Sequence, residues 1–159
     1  MRTNDLAVVV LAAGKGTRLK SSVAKVLHRA GGRSLVEHVM LACAPLGPKK
    51  IVAVVGHQAE QVTAVLEPMG AAVVLQNPQG GTGHAMQVAR RTLGNAKLAL
   101  VVPGDAPLIR PETLRALVAA HRASSAAATI LTAVVSDPRG YGRIVRKSDT
   151  AVRAIVEDS

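Results

Sequence analysis

Residues 6–18 read LAVVVLAAGKGTR. The portion Leu6 to Leu11 is a continuous apolar run rich in β-branched residues, the pattern of a central parallel strand covered on both faces. It runs into a glycine-rich stretch, Ala12 to Gly16. Beyond a basic connection, Ser34 and Glu37 have the spacing of a capping box, which opens the helix LVEHVMLACA; Pro45 and Gly47 stop it. Strand, loop and helix thus form the opening unit, and the alternation repeats. Strands are predicted at Ile51 to Val55, Ala72 to Leu75 and Leu98 to Val102. Helices are predicted at about Gln58 to Glu67, Thr82 to Leu93, and Pro111 to about Arg122, with Pro111 suited to a first turn. The last third changes character: short strands are expected at Ala127 to Val135, Gly142 to Arg146 and Val152 to Val156, separated by turns. The pattern predicts a doubly wound, mainly parallel, Rossmann-like α/β sheet with a strand-rich carboxyl-terminal edge.

The 159 residues fit one domain, at roughly 100 to 200 residues per domain. Hydrophobic residues at 48% and charged residues at 19% exclude a chain disordered by composition. A net charge of +10 suits polyanionic ligands such as nucleotides, phosphosugars or nucleic acid. Tyr141 is the only aromatic residue, so the stacking platform of most RNA-binding and single-strand-binding modules is missing, and no nucleic-acid partner is expected. Cys43 is the single cysteine and permits no internal disulfide; inside a helix it reads as core rather than nucleophile. The five histidines lack metal-ligand spacing. Leu6 to Ala13 is too short to span a membrane and is bracketed by Asp5 and Lys15, so a cytoplasmic protein without membrane segments is expected.

Open α/β sheets bind ligands at the carboxyl ends of their strands. At the end of the first strand, Gly14 and Gly16 let backbone N–H groups approach an anion, while Lys15, Arg18 and Lys20 add positive charge. The loop is neither a Walker loop nor a dinucleotide fingerprint, since Lys20 lacks the GK[ST] setting and Leu19 occupies the third glycine position. Lys25, read alone, is a solvated lysine. After the third strand, Gln76, Gln79, Gly80, Gly81 and Thr82 supply amide and backbone groups able to read a base edge. After the fourth, Asp105 stands where a hard cation such as Mg²⁺ would meet phosphate oxygens. From the residues alone, either loop also fits plain turn chemistry.

Taken together, Leu11-Ala-Ala-Gly-Lys-Gly-Thr-Arg18, Lys25-Val-Leu-His28, Gly56-His57, Gln76 with Gly81-Thr-Gly-His-Ala85, Gly104-Asp105 with Pro107-Leu108, Asp137-Pro138 with Gly140-Tyr-Gly-Arg-Ile144, and Ile155-Val-Glu157 resemble the sugar-nucleotide pyrophosphorylases. The resemblance is strongest to the amino-terminal uridylyltransferase domain of the bifunctional bacterial UDP-N-acetylglucosamine pyrophosphorylase/glucosamine-1-phosphate acetyltransferases, and it covers essentially the whole chain. It implies a nucleotide-diphospho-sugar transferase fold. It also implies that Leu11, Ala12, Ala13 and Gly14, with Gln76, Gly81 and Thr82, hold the uridine of UTP. Gly16, Thr17 and Gly104 belong to the same substrate-binding motifs, Arg18 and Lys25 act on the phosphates, and Asp105 binds Mg²⁺. Gly142 and Glu157 are implied to touch the sugar of N-acetylglucosamine 1-phosphate, whose phosphate attacks the UTP α-phosphorus and releases pyrophosphate.

The sequence departs from that family in three ways. Ala24 stands where the family commonly has proline before the lysine, and Pro103 where a tyrosine often precedes the Gly-Asp pair. The chain ends at Ser159, ahead of the family's later sugar-contacting and metal-binding asparagines and its β-helix domain, so a truncated amino-terminal piece with reduced transfer activity is expected. The competing readings are a noncatalytic nucleotide-binding or interaction fragment, and a cytidylyl- or guanylyltransferase for another acceptor; Gln76 with GTGHA favours uridine. A basic nucleic-acid binder rests on charge alone, and a homo-oligomer stays open.

Overall fold

The computed structural model describes residues 5–16 and 19–157. Two compact units make up the chain, the first reaching Ala119 and the second beginning at Ala120. In the first unit, strand β1 (Leu6–Ala12) is central. A small hairpin, β2 (Arg29–Ala30) and β3 (Arg33–Ser34), precedes helix α1 (Leu35–Cys43); then follow β4 (Lys50–Val55), α2 (Ala59–Leu66), β5 (Ala71–Leu75), α3 (Gly81–Leu93), β6 (Leu98–Pro103) and α4 (Pro111–Ala123), whose last turn falls beyond the boundary of the unit. The main sheet is entirely parallel in the order β5-β4-β1-β6, with Val8 opposite Ile51 on one side and Leu100 on the other.

The uninterrupted apolar character of β1 follows from its position. Val8 and Val10 enter one core with Val36, Val39, Val62, Leu66 and Leu114 from α1, α2 and α4. Val9 enters a second core, with Val52 and Val54, against Ala85 and Ala89 of α3. Both faces of β1 are thus covered by helices, which leaves no solvated face for a polar residue. Ala85 and Ala89 lie one helical turn apart and are the residues α3 buries fully against the sheet, with Met86, Val88 and Leu93 partly buried beside them.

Helix α1 begins as its sequence predicts. The Ser34 hydroxyl accepts from the Glu37 N–H, and the Glu37 carboxylate accepts from the Ser34 N–H at 2.6 Å. These bonds from Ser34 hold the Glu37 carboxyl below its ordinary value. The basic connection before it contains a hairpin that periodicity does not reveal, because two-residue strands are too short to show a period. Its Gly31 and Gly32 both have positive φ, as a tight two-residue turn demands.

Cys43 is fully buried in the α1 core, and burial pushes its thiol up to about 11. It is therefore a neutral, apolar side chain at neutral pH, in agreement with its reading as core. A raised folded-state value means that this thiol's contribution to stability is complete below its unfolded value and is lost as pH rises through about 11. Ellman's reagent should leave the native protein unlabelled at pH 8 and label one thiol in guanidinium; rapid native labelling would contradict this burial.

In the second unit, β7 (Arg143–Arg146) and β8 (Val152–Val156) form an antiparallel pair with an irregularity between Val145 and Arg146. The strand-rich end is thus a separate two-stranded ladder. The strand expected at Ala127 to Val135 is not formed. Alternation marks β-propensity, but a strand exists only where a ladder partner takes up its N–H and C=O groups. Residues 124–142 are exposed, Val134 completely so. Among the described residues, no helix is long and apolar enough to cross a membrane.

Candidate active site

The parallel sheet brings the carboxyl ends of its strands to one edge, where β1 lies between β4 and β6 and the winding direction changes. Backbone hydrogen bonds stitch the loops together there. The Gly104 N–H donates to the Leu11 carbonyl at 2.8 Å, the His57 N–H to the Ala13 carbonyl at 3.2 Å, and the Gln76 N–H to the Val55 carbonyl at 2.8 Å. Gly104 is needed for this approach, since a Cβ there would stand 2.9 Å from the Leu11 carbonyl oxygen.

A cleft of about 460 Å³ opens above these loops, a volume typical of small-molecule sites. Leu11, Ala13, Gly14 and Gly16 line it from β1 and its loop; Gln76, Gly81 and Thr82 line it from β5 and the start of α3. Lys25 and Asp105 complete it, and their side chains form an ion pair. Both groups keep solvent contact, at 43% and 29% exposure.

Three placements give the cleft its character. Gly16 has φ +62° and runs so close to Lys25 that a Cβ on it would lie 2.6 Å from the lysine Cβ. Gly14, by contrast, has no described residue beyond its chain neighbours within 4 Å on the side where a Cβ would project. Gln76 is 4% exposed, and its amide is anchored: Nε2 donates to the Gly81 carbonyl at 2.8 Å and lies 3.4 Å from His84 Nδ1. That commitment leaves Oε1 as the acceptor the side chain can offer to a ligand.

The residues expected at the site thus separate into groups. The glycine loop, Lys25, Gln76, Gly81, Thr82 and Asp105 come together in the cleft. Ala12 is buried beneath it, and Gly104 supports the β1 end from behind. Thr17 and Arg18 lie outside the described residues. Gly142 and Glu157 belong to the second unit and are neighbours across its ladder, a Cβ on Gly142 falling 3.2 Å from Glu157 Oε2. Lys15 lines an adjoining hollow with Gln76 and Gln79. Val26, Pro103 and Ala85 also line the cleft, and no chemical signal in the sequence marks such apolar walls.

Among the described residues, Asp105 is the only carboxylate on the cleft, and no group of three or more His, Cys, Asp or Glu gathers. Such a donor set does not make an all-protein metal cage. It fits Mg²⁺ held by one carboxylate, with substrate phosphates and water as the remaining oxygens.

The profile of the MobA-like NTP transferase domain matches residues 8–152. The chain belongs to that family. It is 52% identical over 158 residues to the bifunctional protein GlmU of Corynebacterium diphtheriae, an alignment covering 95% of this chain and 33% of that protein. It is 53% identical over 156 residues to GlmU of Streptomyces coelicolor, covering 95% and 32%. The chain therefore spans about a third of the length of the curated relatives it matches. Among solved structures, HddC from Yersinia pseudotuberculosis, complexed with GMP-PN, superposes with a TM-score of 0.75 at 23% identity over 96% of this chain and 69% of that one. The nucleotidyltransferase fold expected from the sequence is this fold, and the motif resemblance to the GlmU relatives holds along the chain.

Proposed function

We propose that this NTP transferase domain binds UTP with Mg²⁺ and transfers the uridylyl group to N-acetylglucosamine 1-phosphate, releasing pyrophosphate. The observation that carries the reading is the convergence of Lys25, Gln76 and Asp105, from three separate loops, on one cleft in a chain half identical to GlmU.

The Gln76 acceptor matches the N3–H of uracil, whereas cytosine presents a bare ring nitrogen at that position. The backbone of Gly14 to Gly16 receives the phosphates, whose approach Gly14 leaves open. Mg²⁺ on Asp105 and phosphate oxygens would supply charge neutralisation of the triphosphate. Lys25, freed from Asp105, would turn its ammonium to the α-phosphate and stabilise charge there in the transition state. An oxygen of the sugar 1-phosphate attacks the α-phosphorus in line; the new P–O bond forms as the bond to the β-phosphate bridging oxygen breaks, with no enzyme-bound covalent intermediate. Arg18 would add positive charge to the phosphates, and Gly142 and Glu157 would contact the sugar ring. Catalysis of this kind rests on positioning and electrostatics.

Calorimetric titration with UTP, CTP and GTP in the presence of Mg²⁺, together with a pyrophosphate-release assay with and without the sugar phosphate, tests the proposal. UTP should bind most tightly. Gln76→Ala should cut its advantage over CTP about tenfold, the loss of one hydrogen bond to the base. Equal affinity for all three nucleotides in the parent protein would overturn the uridine assignment. Tight UTP binding without sugar-dependent pyrophosphate release would reduce the protein to a nucleotide-binding module.

A further inference from the structure

Lys25 stands at the end of an exposed loop, yet the approach of Gly16 holds it to a narrow position. What fixes the loop is a residue far away in sequence. The Ala24 N–H donates to Gln58 Oε1 at 2.6 Å, and Gln58 Nε2 donates to the Ser22 carbonyl at 2.5 Å. The side-chain amide thereby grips alternate residues of the loop as a neighbouring strand would. Its own base is firm: Gln58 follows the Gly56-His57 connection, which is tied to the Ala13 carbonyl, and its carbonyl accepts from the Val62 N–H in α2.

Two features show that this grip is the side chain's task. Gln58 has φ +50° and ψ +45°, a left-handed backbone in which glycine or asparagine is at home and glutamine is not. Although it sits at the N-cap of α2, its side chain makes no capping hydrogen bond. A glutamine here serves neither its own backbone nor its own helix; it serves residues 22 and 24.

Ala24 explains why the grip is required. It is 1% exposed, and it is the residue from which the short 3-10 turn Lys25–Leu27 starts. A buried N–H needs an acceptor, and Gln58 is the acceptor. A proline at this place would have no N–H to satisfy and a fixed φ. Ala24 has φ −52°, within the range a proline ring imposes. We infer that Gln58 is a positioning residue for Lys25, and that in this chain Gln58 and Ala24 together do what a proline ring does alone.

The inference rests on the proposed role of Lys25 as a phosphate ligand, and the test separates the two. Mg²⁺·UTP affinity by calorimetry and Tm would be measured for Lys25→Ala, Gln58→Gly, Ala24→Pro and the double variants. Gln58→Gly removes the grip; relief of the left-handed backbone offsets the lost acceptor of the Ala24 N–H, so Tm should stay close to the parent value although affinity falls about tenfold. A residue with a merely structural role would move Tm instead. Gln58→Asn also tolerates this backbone but is one methylene shorter, and should weaken binding similarly. Adding Ala24→Pro to Gln58→Gly should restore affinity to within about twofold, and adding Gln58→Gly to Lys25→Ala should change nothing further, because the grip acts through Lys25. Parent-like affinity in Gln58→Gly and Gln58→Asn, alongside a weakened Lys25→Ala, would overturn the inference and leave the role of Lys25 standing. Parent-like affinity in Lys25→Ala would overturn that role and the inference with it.

Discussion

Gly16→Val should abolish triphosphate binding and lower Tm by about 4–8 °C, the shift that roughly 2 kcal/mol produces in a domain of this size. Two physical terms add. At φ +62° a β-branched residue is strained whatever space surrounds it. Its Cβ would also stand 2.6 Å from Lys25 Cβ and 3.3 Å from Cγ, at the root of the lysine side chain rather than its flexible end. Either the glycine loop or the turn bearing Lys25 must therefore move, and both line the cleft. Gly14→Val is the informative contrast. Among the described residues, no atom beyond its chain neighbours lies within 4 Å of its projected Cβ, so it should leave Tm unchanged yet block the approach of an anion. Calorimetric titration with Mg²⁺·UTP and differential scanning calorimetry measure both effects. If both variants bound the nucleotide as the parent does, the phosphate cradle would have to be sought outside this loop.

Lys25→Ala and Asp105→Asn should each lower the proposed uridylyl transfer by about 10²–10³, the usual loss on removing one preorganised electrostatic contact at a phosphoryl-type centre. They should do so at little cost in stability. The ion pair between them is partly solvated, and such pairs contribute about 0–1 kcal/mol. Asp105→Asn keeps the side chain's size but removes the charge that a hard cation prefers, so it should also flatten the dependence of UTP affinity on Mg²⁺. Lys25→Ala should instead weaken UTP binding while preserving a metal response. The two single variants thus differ in a binding measurement that requires no turnover. Near-parent rates with an intact metal response in Asp105→Asn would return Asp105 to the status of a turn residue.

The sequence makes much of this arrangement legible because the signals involved are local. Leu6 to Val10 reads as a doubly covered strand, and the two cores that Val8 and Val9 enter are the two faces it implies. Ser34 and Glu37 announce the start of α1 through bonds reaching only three residues. The glycine loop, Gln76 and Asp105 fall at strand ends, where the parallel topology must gather them. The Ala127 to Val135 segment shows the limit of such reading, since alternation carries no information about whether a partner strand is available.

By itself, then, the sequence determined the order and type of the main elements, the helix cap, and the set of loops that meet at the carboxyl end of the sheet. These depend on periodicity, backbone propensity and topology, all written within short windows of chain. Only the tertiary structure decided that Lys25 pairs with Asp105, that Gly16 runs against the root of the Lys25 side chain, that Gly104 works as a spacer beneath Leu11, and that Gln58 hydrogen-bonds the loop from 34 residues away. Each of these is a contact between segments distant in sequence, set by ångström-scale separations that emerge when helices seat on both faces of the sheet, and no local pattern encodes such a distance.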